Sequence, residues 1–532
     1  MLYLITFLGI FIAGILTSRY PFFGKAGTIF WLMSWFFIFL FFIRQLIEMI
    51  KLVVNKKIFV ALTLILLTAA IVLINIDNPK NISGETTQEI NCMLTHFKFE
   101  KDWGFNKSCF LGYPSRQFIL PVLPSLIFGR SLFALNLGGA IYFIIGLIIF
   151  ASGTLSFLGK NKVADLITAI ILSFIFHLYY FNHFMFLYEQ SIYPFCFSLL
   201  AVGLFLHYLS KKSWPILILI GFTCLFLIFA YTPGIAVYFL IVFVLLGFLY
   251  SKQINFYQKI TIALIIIITL VSYLFSLKVR GDINFFDFNQ PPAINILKDL
   301  TDTFYHLILQ KNGNPMVSPV FNFIFLSVLF IPLFLVFGKT MFIGSIWMLA
   351  VIIASVIAKG YSYYGIDFRV HRATIIFPIL FLMIILMIKP YIKKLDFFKK
   401  PLTGLLIFLV FTGLIFQLNM LNLRDPGRHL IFINFLKEKI KEGTLTYKEE
   451  IIFSDRLNSE YISLHDILQY FLPNFKYGSI SDYLTKGINS ENAVFFLTND
   501  DLSNELLWQL VSRKQKIGVF NFKTDRTLLV FK

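Results

Sequence analysis

The chain has 532 residues, of which 58% are hydrophobic and only 14% are charged, and its formal net charge is +18. A soluble domain is roughly half apolar and about a quarter charged, so this composition excludes an ordinary soluble protein and predicts a polytopic membrane protein. The segment from Asp425 to the end holds 14 basic and 14 acidic residues, so the whole positive excess falls on residues 1–424. A basic excess that flanks apolar segments indicates membrane topology. These basic residues do not form a domain-sized basic face, which binding to nucleic acid needs.

Thirteen apolar segments are long enough to be candidate membrane spans, because a span needs about 20 apolar residues. They lie near residues 1–18, 27–49, 58–76, 132–157, 163–182, 192–209, 214–231, 235–250, 260–277, 319–337, 341–358, 373–389 and 401–419. A shorter apolar segment, residues 118–129, contains Pro121 and Pro124 and cannot span. It predicts a re-entrant or interfacial helix.

The positions of the lysines predict the orientation of these spans. With the N-terminus in the cytoplasm, fifteen lysines fall in short inner connections, whereas the short outer connections hold only Arg19 and Lys25. Lysine and arginine are retained on the cytoplasmic side of membranes. We therefore expect a multi-pass protein of the plasma membrane, with its longer loops and its C-terminal segment on the exterior. Those longer loops are residues 77–117, 278–318 and 359–372.

The composition changes after residue 424. Helical patterns near 429–442, 459–472 and 501–511 are interleaved with short apolar runs at 451–453, 493–497, 517–520 and 528–531. Helices that alternate with strands are typical of a small α/β domain with a central sheet. The expected fold is therefore mainly α: a membrane helix bundle over residues 1–424, with a small α/β exterior domain over 425–532.

Candidate catalytic carboxylates lie in the outer stretch 77–130. They are Asp77, Glu85, Glu89, Glu100 and Asp102. Glu85 and Glu89 are four residues apart and would share one face of a helix. Such a pair can act as a general base or contribute oxygen ligands to a metal. A solvated acidic loop face is the alternative interpretation.

Two further groups of candidates lie in other outer connections. Glu189 is the only carboxylate between the predicted spans 163–182 and 192–209, and an exposed hairpin carboxylate is the alternative. Arg369, His371 and Arg372 cluster just before the span 373–389. Arginine recognises phosphate through paired hydrogen bonds, so this cluster predicts a phosphate site; anchoring at the membrane interface is the alternative.

Cys92 and Cys109 both lie in the predicted exterior loop. Because an exterior compartment is oxidising, this placement is compatible with a disulfide between them. Two free thiols are the alternative.

Several segments occur in an order that resembles the C-type glycosyltransferase superfamily, which includes protein O-mannosyltransferases and the aminoarabinose transferases of lipid A. The segments are Gly84-Glu85-Thr86-Thr87-Gln88, Tyr113-Pro114-Ser115-Arg116, the proline-rich run 120–136, Glu189 to Pro194, and Arg372 followed by Pro378. In that family an acidic pair opens the first outer loop. Here Gly84 stands at the first acidic position, so either Glu85 is the base or the activity has been lost. The resemblance covers most of residues 58–390.

This resemblance implies transfer of a sugar from a polyprenyl-phosphate donor to an acceptor on the exterior face. Glu85, assisted by Glu189, would deprotonate the acceptor hydroxyl, and Glu89 and Asp77 are further catalytic candidates. The residues that would hold the donor phosphate are Arg372, Arg369, His371 and Arg116. The resemblance names no acceptor, which could be a protein, a lipid or a glycan. It allows a divalent metal without implying one, and the residues that would hold such a metal are left open.

Two other classes of function remain open from the sequence alone. One is a transporter or flippase for a lipid or amphiphile, a class in which inverted repeats and broken helices are common; the sequence shows no internal repeat. The other is a catalytically inactive membrane scaffold, which the glycine at position 84 keeps open.

Overall fold

The computed structural model describes residues 24–55, 57–75, 91, 94, 108–110, 113–114, 119–159, 161–178, 192–229, 254–280, 376–422, 428–455, 464–486, 492–523 and 526–532. Within these ranges the membrane part contains ten α-helices. They are α1 (Gly24–Val54), α2 (Ile58–Asn75), α3 (Ile119–Phe128), α4 (Leu132–Leu158), α5 (Lys162–Ser173), α6 (Ile192–Lys211), α7 (Trp214–Phe229), α8 (Phe256–Arg280), α9 (Ile376–Ile388) and α10 (Lys399–Asn422).

Nine of the thirteen predicted spans overlap one of these helices, and the predicted short helix is observed as α3. The other four predicted spans, 1–18, 235–250, 319–337 and 341–358, lie outside the described residues. Among the described helices, Leu132–Leu158 and Lys394–Asn419 are each long and apolar enough to cross a membrane. A third crossing is added if Leu40–Val54 and Ile58–Ala70, bent by 116°, form one broken span. The mainly helical membrane architecture is therefore confirmed, whereas the count of thirteen spans stays a prediction.

Helices α4 and α6 run parallel and approach each other through glycines. A Cβ built on Gly153 would lie 2.0 Å from the carbonyl oxygen of Gly203, and one built on Gly146 would lie 2.9 Å from the carbonyl oxygen of Cys196. Small residues allow membrane helices to associate closely, because dispersion contacts rather than water exclusion hold them together. A hydrogen bond of 2.9 Å between Ser152 and His207 adds a polar contact to this interface.

The two ends of α4 differ in their contacts. At its N-terminal end, the backbone carbonyl of Ser131 accepts a hydrogen bond from the Tyr470 hydroxyl. At its C-terminal end, the Lys389 ammonium donates to the carbonyls of Phe157 and Leu158. We call these the domain end and the lysine end of the bundle. A helix of 27 residues is about 40 Å long, so the C-terminal domain and Lys389 lie on opposite sides of the bundle.

The C-terminal region forms a mixed five-stranded sheet in the order β4-β3-β5-β7-β6. A hairpin of two short strands in the first outer stretch, β1 (Ser108–Phe110) and β2 (Tyr113–Pro114), precedes it in the chain. The five strands are β3 (Glu450–Phe453), β4 (Lys476–Ser479), β5 (Ala493–Thr498), β6 (Lys516–Lys523) and β7 (Arg526–Phe531). The first three are parallel to one another, and β7 is antiparallel to β5 and β6. The helices are α11 (Arg428–Lys441), α12 (Leu464–Phe471), α13 (Ile480–Lys486) and α14 (Glu505–Val511). This sheet domain confirms the predicted α/β character.

The two faces of the sheet have different partners. Along β5, Val494 and Phe496 belong to an apolar cluster that continues into the helix bundle. Phe495 and Leu497 point to the other face, where they pack with residues of α13 and α14. This alternation is that of a strand buried on both sides. The sheet domain therefore has one face joined to the bundle core and one core of its own.

Candidate functional site

The predicted site residues lie outside the part of the chain that the structure describes. This holds for Glu85, Glu189, Glu89, Asp77, Arg372, Arg369, His371, Arg116 and Cys92. Cys109 lies in β1, so the Cys92–Cys109 disulfide stays a prediction. The structure does describe the helices that lead into and out of these segments, and their directions can be compared.

Helices α2 and α5 both begin at the lysine end. Helix α5 follows α4 after a short connection, with the Asn161 side chain capping its first turn. The buried Asp165 carboxylate in that turn accepts hydrogen bonds from the backbone N–H groups of Phe59 and Val60, at 3.3 and 3.1 Å. It thus caps the N-terminus of α2, where a negative charge also complements the helix dipole. Both helices therefore run toward the domain end, α2 ending at Asn75 just before the predicted first outer loop.

Helices α6 and α9 begin at the domain end. Helix α6 is parallel to α4, so its first residue, Ile192, lies at that end, three residues after Glu189 in the sequence. Helix α9 leads into Lys389, which contacts the lysine end, so its first residue, Ile376, lies toward the domain end. Ile376 lies four residues after Arg372 in the sequence. The ends of α2, α6 and α9 that are nearest to the three predicted site segments thus all point toward the domain end, with Ile376 about 20 Å from the lysine end.

A buried polar contact joins this end of the bundle to the sheet domain. Tyr470 is fully buried, and its hydroxyl lies 2.9 Å from the Ser125 hydroxyl of α3 and 3.3 Å from the Ser131 carbonyl. Arg130 donates one hydrogen bond of 2.9 Å to the carbonyl of Gln469 and another of 3.3 Å to Asn91. We call this group of six residues the junction: Asn91, Ser125, Arg130, Ser131, Gln469 and Tyr470.

The electrostatics of the junction keep Tyr470 neutral. Desolvation by burial raises the pKa of its phenol above the ordinary value, and the hydrogen bond with Ser125 and the charge of Arg130 only partly oppose this. Tyr470 can therefore donate to the Ser131 carbonyl while its oxygen accepts from Ser125. No pH change within the physiological range would alter this arrangement.

A second polar contact fixes the end of α5. The helix was predicted to continue to residue 182, but it ends at Ser173 and tightens into a 3₁₀ turn, Phe174–His177. The buried amide of Gln417 on α10 donates to the carbonyls of Phe176 and Leu178. Gly413 allows this approach, since a Cβ there would lie 2.5 Å from the Cβ of Phe176. Gln417 thus donates to two carbonyls at the end of this helical segment, shortly before the connection that carries Glu189 in the sequence.

The sequence analysis did not single out Tyr470 of the junction or Gln417 of α10, whose side chains make the two polar contacts described above. A usable signal existed for Gln417, because a polar side chain within an apolar span is costly and has a reason to be there. No local signal marks Tyr470, whose partners lie 345 and 339 residues away in the sequence. Among the described residues there is no group of three or more His, Cys, Asp or Glu side chains that could hold a metal ion.

The fold matches that of a solved membrane enzyme, ArnT from Cupriavidus metallidurans. Its structure bound to undecaprenyl phosphate superimposes with a TM-score of 0.51 at 12% sequence identity, covering 89% of this chain and 97% of that chain. Its apo structure gives a TM-score of 0.53 at 11% identity over the same shares. ArnT is a C-type membrane glycosyltransferase. This chain has the C-type glycosyltransferase fold.

The predicted resemblance to C-type glycosyltransferases is thereby confirmed at the level of fold, and the chain is an integral multi-pass membrane protein like ArnT. The oligosaccharyltransferase of Archaeoglobus fulgidus, solved with Zn and sulfate, matches at a TM-score of only 0.38 and 12% identity, over 88% of this chain and 72% of that chain. That likeness is too weak to support an argument. No family model and no curated protein matches the sequence.

Proposed function

We propose that the protein is a membrane glycosyltransferase that moves a sugar from a polyprenyl-phosphate donor to an acceptor hydroxyl on the exterior face. The observation that carries this proposal is the fold shared with ArnT over 89% of the chain, together with the undecaprenyl phosphate bound in one ArnT structure. The directions of the described helices support it, because α2, α6 and α9 each point the end nearest to a predicted site segment toward the domain end.

In the proposed reaction Glu85 is the general base, assisted by Glu189. Its carboxylate takes the proton of the acceptor hydroxyl as the hydroxyl oxygen attacks the anomeric carbon of the sugar. The bond between that carbon and the phosphate oxygen breaks, and polyprenyl phosphate leaves with the electron pair. Glu89 and Asp77 are the other carboxylates on the same loop that could assist.

The proposed phosphate site consists of Arg372 and Arg369, helped by His371 and by Arg116 of the first outer loop. Guanidinium groups pair with phosphate through parallel hydrogen bonds and stabilise the charge that develops on the leaving group. The sheet domain, which we take to begin near residue 425, would stand outside the membrane above this site. The lysine end would then face the cytoplasm, as the lysine distribution predicts.

Binding of undecaprenyl phosphate to the full-length protein in lipid nanodiscs tests the proposal. We expect saturable binding by the wild type and at least tenfold weaker binding by Arg372→Ala, because an unpaired phosphate charge loses about 1.5–3 kcal/mol of charge-assisted hydrogen bonding. Arg513→Ala, which removes an exposed arginine of the sheet domain, is the matched control. Absence of binding to the wild type, or equal losses in the two variants, would contradict the proposal.

A further inference from the structure

The junction is unusual because one arginine links its own segment to two other parts of the chain. Arg130 directly precedes α4, and its guanidinium reaches Asn91 of the first outer stretch and the Gln469 carbonyl of the sheet domain. The planar guanidinium suits this task, since its donors diverge in fixed directions. Asn91 is itself buried. The first outer stretch, the start of α4 and the sheet domain are therefore tied at a single side chain.

Helix α3 depends on the contacts of the junction because it would be only marginally stable as an isolated helix. It has only ten residues and contains Pro124, whereas isolated helices shorter than about 12 residues are marginal in water. One side of α3 packs against α4, and Ser125 on that buried side meets the Tyr470 hydroxyl. Its C-terminal residues Leu126, Ile127 and Phe128 are 48%, 71% and 56% exposed. Along this exposed apolar end the Phe128 ring meets the Phe133 ring of α4 edge-on, and contacts of the sheet domain add a second hold at Ser125.

We infer that Arg130 and Tyr470 are positioning residues through which the sheet domain holds α3 and the first outer loop in the geometry that binds the donor. This inference rests on the proposed function, because the first outer loop carries the proposed base Glu85 and the proposed phosphate ligand Arg116. Neither Arg130 nor Tyr470 is proposed to touch the substrate. The sheet domain is then part of the donor site's architecture rather than an independent appendage.

The test measures two quantities on the full-length protein in nanodiscs: hydrogen exchange of the backbone amides of α3, and affinity for undecaprenyl phosphate. Tyr470→Phe keeps the buried ring but leaves the Ser125 hydroxyl and the Ser131 carbonyl without this partner. We expect α3 to exchange about tenfold faster, while exchange in β5 of the sheet stays unchanged. We expect the dissociation constant for undecaprenyl phosphate to rise about threefold to tenfold. Arg130→Met should have the same two effects.

A matched control is Tyr447→Phe, which removes a half-exposed phenol hydroxyl from the same domain and should change neither quantity. Adding Ser125→Ala to Tyr470→Phe removes both partners, and part of the exchange protection should return because no buried hydroxyl is left unpaired. Faster exchange of α3 with unchanged affinity would show a purely structural contact and would overturn the inference alone. Unchanged exchange of α3 would also overturn it. Failure of the wild type to bind undecaprenyl phosphate would overturn the proposed function and the inference together.

Discussion

Replacing Gly153 by alanine should separate the two helices that form the centre of the bundle. The added Cβ would lie 2.0 Å from the carbonyl oxygen of Gly203, whereas ordinary contact begins at 3.4 Å. The backbones must therefore move apart by roughly 1.4 Å, the difference between these distances, since no flexible side chain can yield. The shift also strains the adjacent hydrogen bond between Ser152 and His207.

The expected loss of stability follows from the measured effects of adding methyl groups to packed protein cores. Extra methyl or methylene groups in a packed core cost about 1–3 kcal/mol, and a backbone-to-backbone clash belongs at the upper end of this range. Each kcal/mol lowers the thermal midpoint by about 2–4 °C in domains of 150–250 residues, and somewhat less in a longer chain. We therefore expect a midpoint about 2–6 °C below that of the wild type.

Thermal unfolding of the purified protein, followed by intrinsic fluorescence at one fixed scan rate, measures this effect. A fixed rate is needed because membrane proteins unfold irreversibly and their midpoints depend on the rate. Gly404→Ala is the matched control, because Gly404 is exposed on α10 and a Cβ there meets nothing within 4 Å. The control should be neutral or slightly stabilising, since alanine favours helix more than glycine does. Equal midpoints for Gly153→Ala and the wild type would refute the close packing of α4 and α6.

Two further predictions follow from single contacts and a third from the proposed orientation. Gln417→Leu should cost about 1–3 kcal/mol, because the carbonyls of Phe176 and Leu178 lose their buried donor, and the thermal midpoint would report it. Asp165→Ala should cost about 0.5–2 kcal/mol by uncapping α2, and faster hydrogen exchange in the first turn of α2, without change in the sheet domain, would locate the effect. A cysteine placed at the exposed position Arg513 should react with a membrane-impermeant reagent from outside intact cells; labelling only after permeabilisation would reverse the proposed orientation.

Much of the fold could be predicted because apolar runs mark both spans and buried strands. The runs at 451–453, 493–497, 517–520 and 528–531 all fall within strands β3, β5, β6 and β7. Strand β4 escaped notice because its sequence, Lys-Tyr-Gly-Ser, carries little apolar pattern, and it lies at an edge of the sheet where only one neighbour pairs with it. Its pairing with β3 depends on the sheet around it rather than on its own residues.

The end of α5 shows a limit of local pattern. Residues 163–182 are predominantly apolar, so hydropathy alone predicts one helix, yet the helix tightens after Ser173. The cause lies on α10, where Gln417 and Gly413 meet the departing chain. Gln417 stands out as a polar residue in an apolar span, but nothing in the sequence identifies its partner some 240 residues away.

The candidate site, too, could be predicted from the sequence only in part. Carboxylates and arginines in outer connections are visible in the sequence, because charged residues at a membrane edge stand out against apolar spans. The geometry around them is not visible, since it depends on the relative directions of α2, α6 and α9 and on the junction. Those directions became clear only from pairs such as Asp165 with Val60 and Lys389 with Leu158.

The most direct test of the central claim is an experimental structure of the full-length protein in nanodiscs with undecaprenyl phosphate. The account predicts the phosphate at the domain end, within hydrogen-bond distance of Arg372 or Arg369, with Glu85 lining the same cavity. A phosphate bound at the lysine end, or Glu85 facing bulk solvent with no cavity shared with Arg372, would contradict it.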